Sequence, residues 1–134
     1  IRRYLSIRIL RAADETRLKR VVLNILPRKQ QYAIWGFGDD GKRCKDLLSL
    51  AGIDIIVVYD FSFSETKRKD GILYKQPNIA EMKNKISLIV STSAYEDSIA
   101  MELNKNEMIK TMDYFLFSDI ESDIVRKYYG IQEE

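Results

Sequence analysis

Along this chain the spacing of hydrophobic residues changes repeatedly, and each change predicts an element. Leu5, Ile9 and Ala12/Ala13, then Leu18, Val21, Val22, Ile25 and Leu26, recur at helical spacing. Most of the stretch before Pro27 therefore reads as helix, broken at residues 14–16, with Asp14 capping the second half. Pro27 ends it, because its ring disfavours helical geometry in the residue before it. The period then shortens. Tyr32-Ala33-Ile34-Trp35 is a buried strand stopped by Gly36. Residues 41–51 form an amphipathic helix with Cys44, Leu47, Leu48 and Ala51 inward and Gly52 as its stop.

Residues 53–59, Ile-Asp-Ile-Ile-Val-Val-Tyr, are β-branched almost throughout, as in a strand covered on both faces of a parallel sheet. Residues 61–71 are polar and basic and read as a loop, and Ile72-Leu73-Tyr74 as a short strand. Asn78-Ile79-Ala80-Glu81 is a capped helix start, and residues 86–90 are another buried strand. Ser93 and Glu96 have capping-box spacing and open a helix through Ile99, Ala100 and Leu103. Tyr114-Phe115-Leu116-Phe117 is the last strand; Ser118 and Glu121 form a second box, opening a helix through Ile124 and Tyr128 that stops at Gly130. Strands alternating with helices at these spacings call for crossovers and parallel pairing. The expected fold is α/β: a three-layer Rossmann-like domain with a mostly parallel sheet of about five strands over residues 31–134, preceded by a basic helical segment or linker at residues 1–30.

Candidate chemistry gathers after the first strand. Gly36-Phe37-Gly38-Asp39-Asp40-Gly41 matches G-x-G-x-x-G; it follows a strand, opens a helix, and has Asp60 at the tip of the next strand. In that pattern the glycines permit a tight turn, close approach of a diphosphate, and close helix packing. The helix N-terminus offers unpaired N–H groups to phosphate, and Asp60 would accept from ribose hydroxyls. Asp39 and Asp40 oppose a diphosphate electrostatically; capping the helix is a structural reason for them, and Lys42 or Arg43 could offset their charge. Asp60 favours NAD over NADP, whereas Lys67, Arg68 and Lys69 beyond it could reverse that preference. Ser91, Thr92 and Ser93 end a strand and are expected at the same crevice. Phe37 and Phe61 flank the glycines and the acid, and Tyr95 could stack on a base or simply pack. A hard cation on Asp39, Asp40 and Asp60 is the weaker alternative to helix capping, so no metal is expected.

Composition narrows the chemistry. The chain has 134 residues, one cysteine and no histidine. That excludes an internal disulfide, Ser-His and Cys-His nucleophile pairs and His-containing metal sites. The lone Cys44 fits a reducing, cytoplasmic setting, and no apolar run reaches the ~20 residues of a membrane span. The net charge of +2 hides a basic first thirty residues, with Arg2, Arg3, Arg8, Arg11 and others against Asp14 and Glu15. Such an arm can face nucleic acid, an anionic membrane or an acidic partner domain. A solvated helix face beside a linker is the preferred reading, with no nucleic-acid partner expected and membrane contact left open. The chain begins at Ile1 in helix-like sequence, which suggests a preceding domain, and an exposed sheet edge leaves weak homodimerisation open.

The runs Ile34-Trp35-Gly36-Phe37-Gly38-Asp39-Asp40-Gly41-Lys42-Arg43, Gly52-Ile53, Val57-Val58-Tyr59-Asp60 and Ser87-Leu88-Ile89-Val90-Ser91-Thr92 resemble a small NAD(P)-binding-like Rossmann domain. Such domains are appended to bacterial polysaccharide-biosynthesis proteins, including glycosyltransferases, sugar methyltransferases and nucleotide-sugar dehydratases. The family's acidic pair at the end of the second strand is here Asp60-Phe61. The resemblance implies a nucleotide or nucleotide-sugar pocket in one module of a larger sugar-processing enzyme, and supplies no reaction or catalytic residue. A complete dehydrogenase is disfavoured, since Tyr95 is followed four on by Ile99 and Tyr128 by Gln132 rather than by Lys. A methyltransferase fragment using S-adenosylmethionine is the runner-up, although Ile34-Trp35 stand where that class usually has an acid. A non-catalytic interaction or regulatory module is the third possibility.

Overall fold

The structure, a computed structural model, describes residues 15–26, 31–83 and 86–129. Expectations placed on residues 1–14, on Pro27 and on Gly130 lie outside them. The elements in chain order are α1 (Glu15–Ile25), β1 (Tyr32–Trp35), α2 (Asp39–Leu50), β2 (Ile55–Tyr59), β3 (Lys67–Lys69) and β4 (Ile72–Lys75). Then come α3 (Ile79–Met82), β5 (Ser87–Val90), α4 (Glu96–Lys105), β6 (Tyr114–Leu116) and α5 (Phe117–Tyr129).

The strands form one six-stranded sheet in the order β3-β4-β2-β1-β5-β6. Every pairing is parallel except that of β3 with β4. The parallel strands run in the order of the first five strands of a Rossmann sheet, with the direction of winding reversing between β1 and β5. Such a reversal opens a crevice outside the carboxyl ends of the strands.

β3 is the strand that hydrophobic patterning misses. Lys67, Arg68 and Lys69 are all exposed, so no apolar alternation marks them. The usable signal is Asp70-Gly71: both have positive φ (53° and 80°), as a two-residue type I′ hairpin turn requires. A fully basic edge also resists addition of another strand. β2 begins at Ile55, and Phe117 belongs to α5 rather than to β6. In the β1–β2 ladder Tyr32 pairs with Ile55 but Ala33 with Val57. This bulge puts Ile55 and Val58 in one hydrophobic cluster and Ile56 and Val57 against the other.

The first cluster joins Leu18 and Val22 of α1, Cys44, Leu47 and Leu48 of α2, and Ile120 and Ile124 of α5 to Ile34, Val58 and Ile89 of the sheet. The second joins Met82 of α3 and Ile99 and Leu103 of α4 to Ala33, Val57, Leu88 and Val90. Alternate residues of β1 and β5 thus enter different clusters, which is why both strands are apolar throughout. Burying each such Leu or Ile contributes roughly 1.5–3 kcal/mol. No helix among the described residues is long and apolar enough to cross a membrane.

Candidate functional site

Register aligns the site. Trp35 pairs with Tyr59 on one side and with Val90 on the other, so Gly36, Asp60 and Ser91 follow at one level beyond the sheet. The Gly36 amide donates to the Tyr59 carbonyl at 2.8 Å, and the Ser91 amide to the Trp35 carbonyl at 2.9 Å. The β1–α2 turn is therefore anchored from both neighbouring strands before any side chain is considered.

The three glycines of the turn do different work. Gly36 has φ +109°, and a Cβ there would lie 2.9 Å from the Ser91 carbonyl oxygen. A Cβ on Gly41 would come 1.9 Å from the Gly36 carbonyl oxygen, so α2 rests its first turn directly on the turn's backbone. Gly38, the helix N-cap, has no side-chain cap, and a Cβ there would meet nothing within 4 Å. Two of the glycines are thus required by packing, while the third faces open space.

Asp60 sits where the ribose-binding acid was expected, and the protein already uses it. Its Oδ2 accepts from the Phe37 amide at 2.6 Å and its Oδ1 from the Ser62 amide at 2.8 Å. Burial pushes its pKa up, but the N–H groups of Ser62 and Phe37 outweigh that and hold it below the ordinary carboxylate value. A carboxylate has about four acceptor positions, so each oxygen keeps room for a further donor. The Phe37 ring packs with Phe63 and Tyr74 at centroid distances of 6.2 and 5.5 Å. Phe61 is 69% exposed and sets its ring edge-to-face with Trp35 at 6.0 Å.

On the other side of the turn the structure corrects the capping expectations. Asp40 does not cap α2. Its Oδ2 accepts from the Ser93 amide at 3.0 Å, and its Oδ1 pairs with the Arg43 guanidinium at 2.9 Å. Arg43 in turn makes a two-pronged pair with Glu121, a carboxylate in a residue only 4% exposed, and lies over the Phe117 ring. Burial raises the Asp40 pKa, but the Ser93 amide and Arg43 bring it down on balance. Arg43 does offset the acid, as the sequence suggested.

The Ser93–Glu96 box does not form, since α4 starts at Glu96 with Tyr95 as its N-cap. Glu96 accepts instead from Ser118 Oγ at 2.8 Å, and Glu121, the expected partner of Ser118, turns to Arg43. Ser91 was expected in the ligand crevice. It is buried, its hydroxyl donating to the Gly36 carbonyl at 3.0 Å, so it holds the turn. Asn78 does cap its helix, accepting from the Glu81 amide.

Two clefts flank the turn and meet at Phe37 and Thr92. One, of about 670 Å³, is largely apolar: Trp35, Gly36 and Gly38 line it, Asp60 and Thr92 supply polar groups, and Phe61 and Tyr95 stand at its rim. Tyr95 is 66% exposed, so neither rim ring fills the space. The other, of about 810 Å³, is polar and runs along α2 past Asp39, Arg43, Ser93, Glu96 and Ser118. Of the expected site residues, Gly36, Phe37, Gly38, Asp60, Phe61 and Thr92 line the apolar cleft, while Asp39, Asp40, Ser91 and Ser93 line the polar one. Gly41 lines neither.

Sequence reading missed Glu96, Ser118 and Glu121. Their spacing satisfied a local capping rule, and only the tertiary fold brings Glu121 to Arg43, 78 positions away. No family model, curated protein or solved structure matches the chain, so function is read from the site's own geometry.

Proposed function

We propose that this chain is a nucleoside-binding module with a three-layer Rossmann-like fold. In this reading the base enters the apolar cleft between Phe61 and Tyr95, the ribose hydroxyls reach Asp60, and the 5′ end passes over Gly38. The observation that carries it is the open space above Gly38, beside a cleft whose polar groups include Asp60 and Thr92, with Ser98 and Glu102 further along it, and which two exposed rings also line. Aromatic faces of this kind stack bases at roughly 1–3 kcal/mol each. The strand order supports the placement, since α/β ligands lie where the winding reverses. Helices joined to the sheet through two separate clusters support the three-layer description.

The proposed role is binding rather than chemistry. The chain contains no histidine, and the acids around the turn are engaged in holding the fold: Asp40 and Glu121 with Arg43, Asp60 with two amides. Service as one part of a larger sugar-processing enzyme, as the resemblance implies, belongs to the same proposal.

A thermal-shift panel on wild type and Gly38→Val tests it, with ribonucleosides, their nucleotides, NAD, NADP, nucleotide sugars and S-adenosylmethionine as probes. A ligand at a hundred times its dissociation constant adds about 2.7 kcal/mol of stability. We expect at least one probe to shift the wild type and none to shift Gly38→Val. No shift in the wild type refutes the proposal.

A further inference from the structure

The charges around the crevice narrow the ligand beyond its nucleoside part. Asp60 and Glu102 are the charged residues lining the apolar cleft, and no basic side chain joins them among the described residues. Along the polar cleft five carboxylates face three cations. Arg43 is already shared between Asp40 and Glu121, and the Lys42 ammonium lies 5.8 Å from the centre of the Phe37 ring. A diphosphate laid over Gly38 would thus meet more carboxylates than cations, with the Arg43 guanidinium already engaged.

The helix N-terminus does not make up the difference. Its dipole is worth about half an elementary charge, and α2 carries Asp39 and Asp40 in its own first turn. The partial positive charge that would attract a phosphate is therefore opposed by Asp39, while Asp40 is paired with Arg43. Asp39 is exposed and lines the polar cleft.

We propose that the crevice selects a nucleoside whose 5′ substituent is neutral or cationic, and discriminates against nucleoside diphosphates. The inference rests on the nucleoside reading above and names the ligand class of that same site. A free nucleoside and a nucleoside bearing a sulfonium, such as S-adenosylmethionine, share the required chemistry: a stackable base, a ribose for Asp60, and no anionic charge over Gly38 apart from any remote carboxylate.

The test is calorimetric titration of the wild type with each common ribonucleoside, its 5′-diphosphate and S-adenosylmethionine, at low and at high salt. One nucleoside should bind at least about tenfold more tightly than its own diphosphate, a margin of about 1.4 kcal/mol. That gap should narrow at high salt, because screening weakens repulsion between exposed charges. Asp39→Lys should improve diphosphate binding while leaving the nucleoside unchanged. The S-adenosylmethionine arm separates the two sources: binding tighter than adenosine assigns a cationic 5′ group, and equal or weaker binding a neutral one. A diphosphate that binds more tightly than its nucleoside, and loses affinity as salt is added, overturns the inference while leaving nucleoside binding intact. Absence of binding by every probe overturns the nucleoside reading itself.

Discussion

Replacing Gly41 by alanine places a methyl group where the Gly36 carbonyl already lies. The new carbon would sit 1.9 Å from that oxygen and 2.7 Å from its carbon, and both are backbone atoms. Restoring an ordinary contact requires the start of α2 to move away from the turn by more than an ångström. The turn cannot readily follow, because the Gly36 N–H donates to the Tyr59 carbonyl and the Ser91 hydroxyl donates to the Gly36 carbonyl. Overpacking of a tight interior costs about 1–3 kcal/mol, and a backbone clash belongs at the top of that range. Alanine would return about 1 kcal/mol of helix propensity, leaving a net loss of about 2 kcal/mol. For a chain of this size that lowers Tm by about 8 °C. Gly38→Ala is the matched control: a Cβ there meets nothing within 4 Å, and φ is −83°. Its modest N-cap penalty is offset by a less flexible unfolded chain, so it should fall within about 0.5 kcal/mol of wild type. Equilibrium urea unfolding of the three proteins reads both values directly. Equal stability of Gly41→Ala and wild type, or an equal loss in Gly38→Ala, would refute the assignment of Gly41 to packing and Gly38 to ligand approach.

Two further outcomes follow from the network beside the turn and from Asp60. Arg43→Met leaves Glu121 buried without its guanidinium and should cost about 3–5 kcal/mol, whereas Arg43→Met with Glu121→Leu should recover most of that loss; urea midpoints that fall equally in the single and double variants would show the pair is not coupled. Asp60 has a depressed pKa in the folded state, so its stabilisation is complete at neutral pH, begins to fade near the unfolded value of about 3.9, and is lost as pH falls through the folded pKa. Unfolding midpoints measured down the acid limb should therefore fall more steeply for wild type than for Asp60→Asn, and parallel curves would remove the two N–H to carboxylate hydrogen bonds from the explanation.

How far the sequence revealed this molecule depended on whether each signal was local. β1, β2 and β5 are apolar runs buried on both faces, and their glycine and polar borders were readable residue by residue. Gly36 and Gly41 were legible for the same reason: a tight turn between strand and helix has few backbone solutions. β3 was not, because an exposed edge strand of three basic residues owes its conformation to the Asp70-Gly71 turn and to pairing with β4. The Ser93 and Ser118 boxes failed for a different reason. Capping spacing is satisfied by many sequences, and at both places a partner from another element competed for the acid.

That competition accounts for the form of the site. Asp40 could have capped α2, but the Ser93 amide across the crevice and the Arg43 guanidinium one turn on together offer it more than a single orphan amide of its own helix. Arg43 was available only because α5, packed into the same cluster as α2, presents Glu121 to hold its other edge. The result ties the β1–α2 turn, the start of α4 and the start of α5 into one rim, and it engages the positive charge of Arg43. On the proposed reading, a turn keeps the backbone geometry of a dinucleotide site while its charges select a different ligand. Here Gly36 and Gly41 are fixed by packing beside the open space over Gly38, and the carboxylates of Asp40 and Asp60 are held around it by backbone N–H groups.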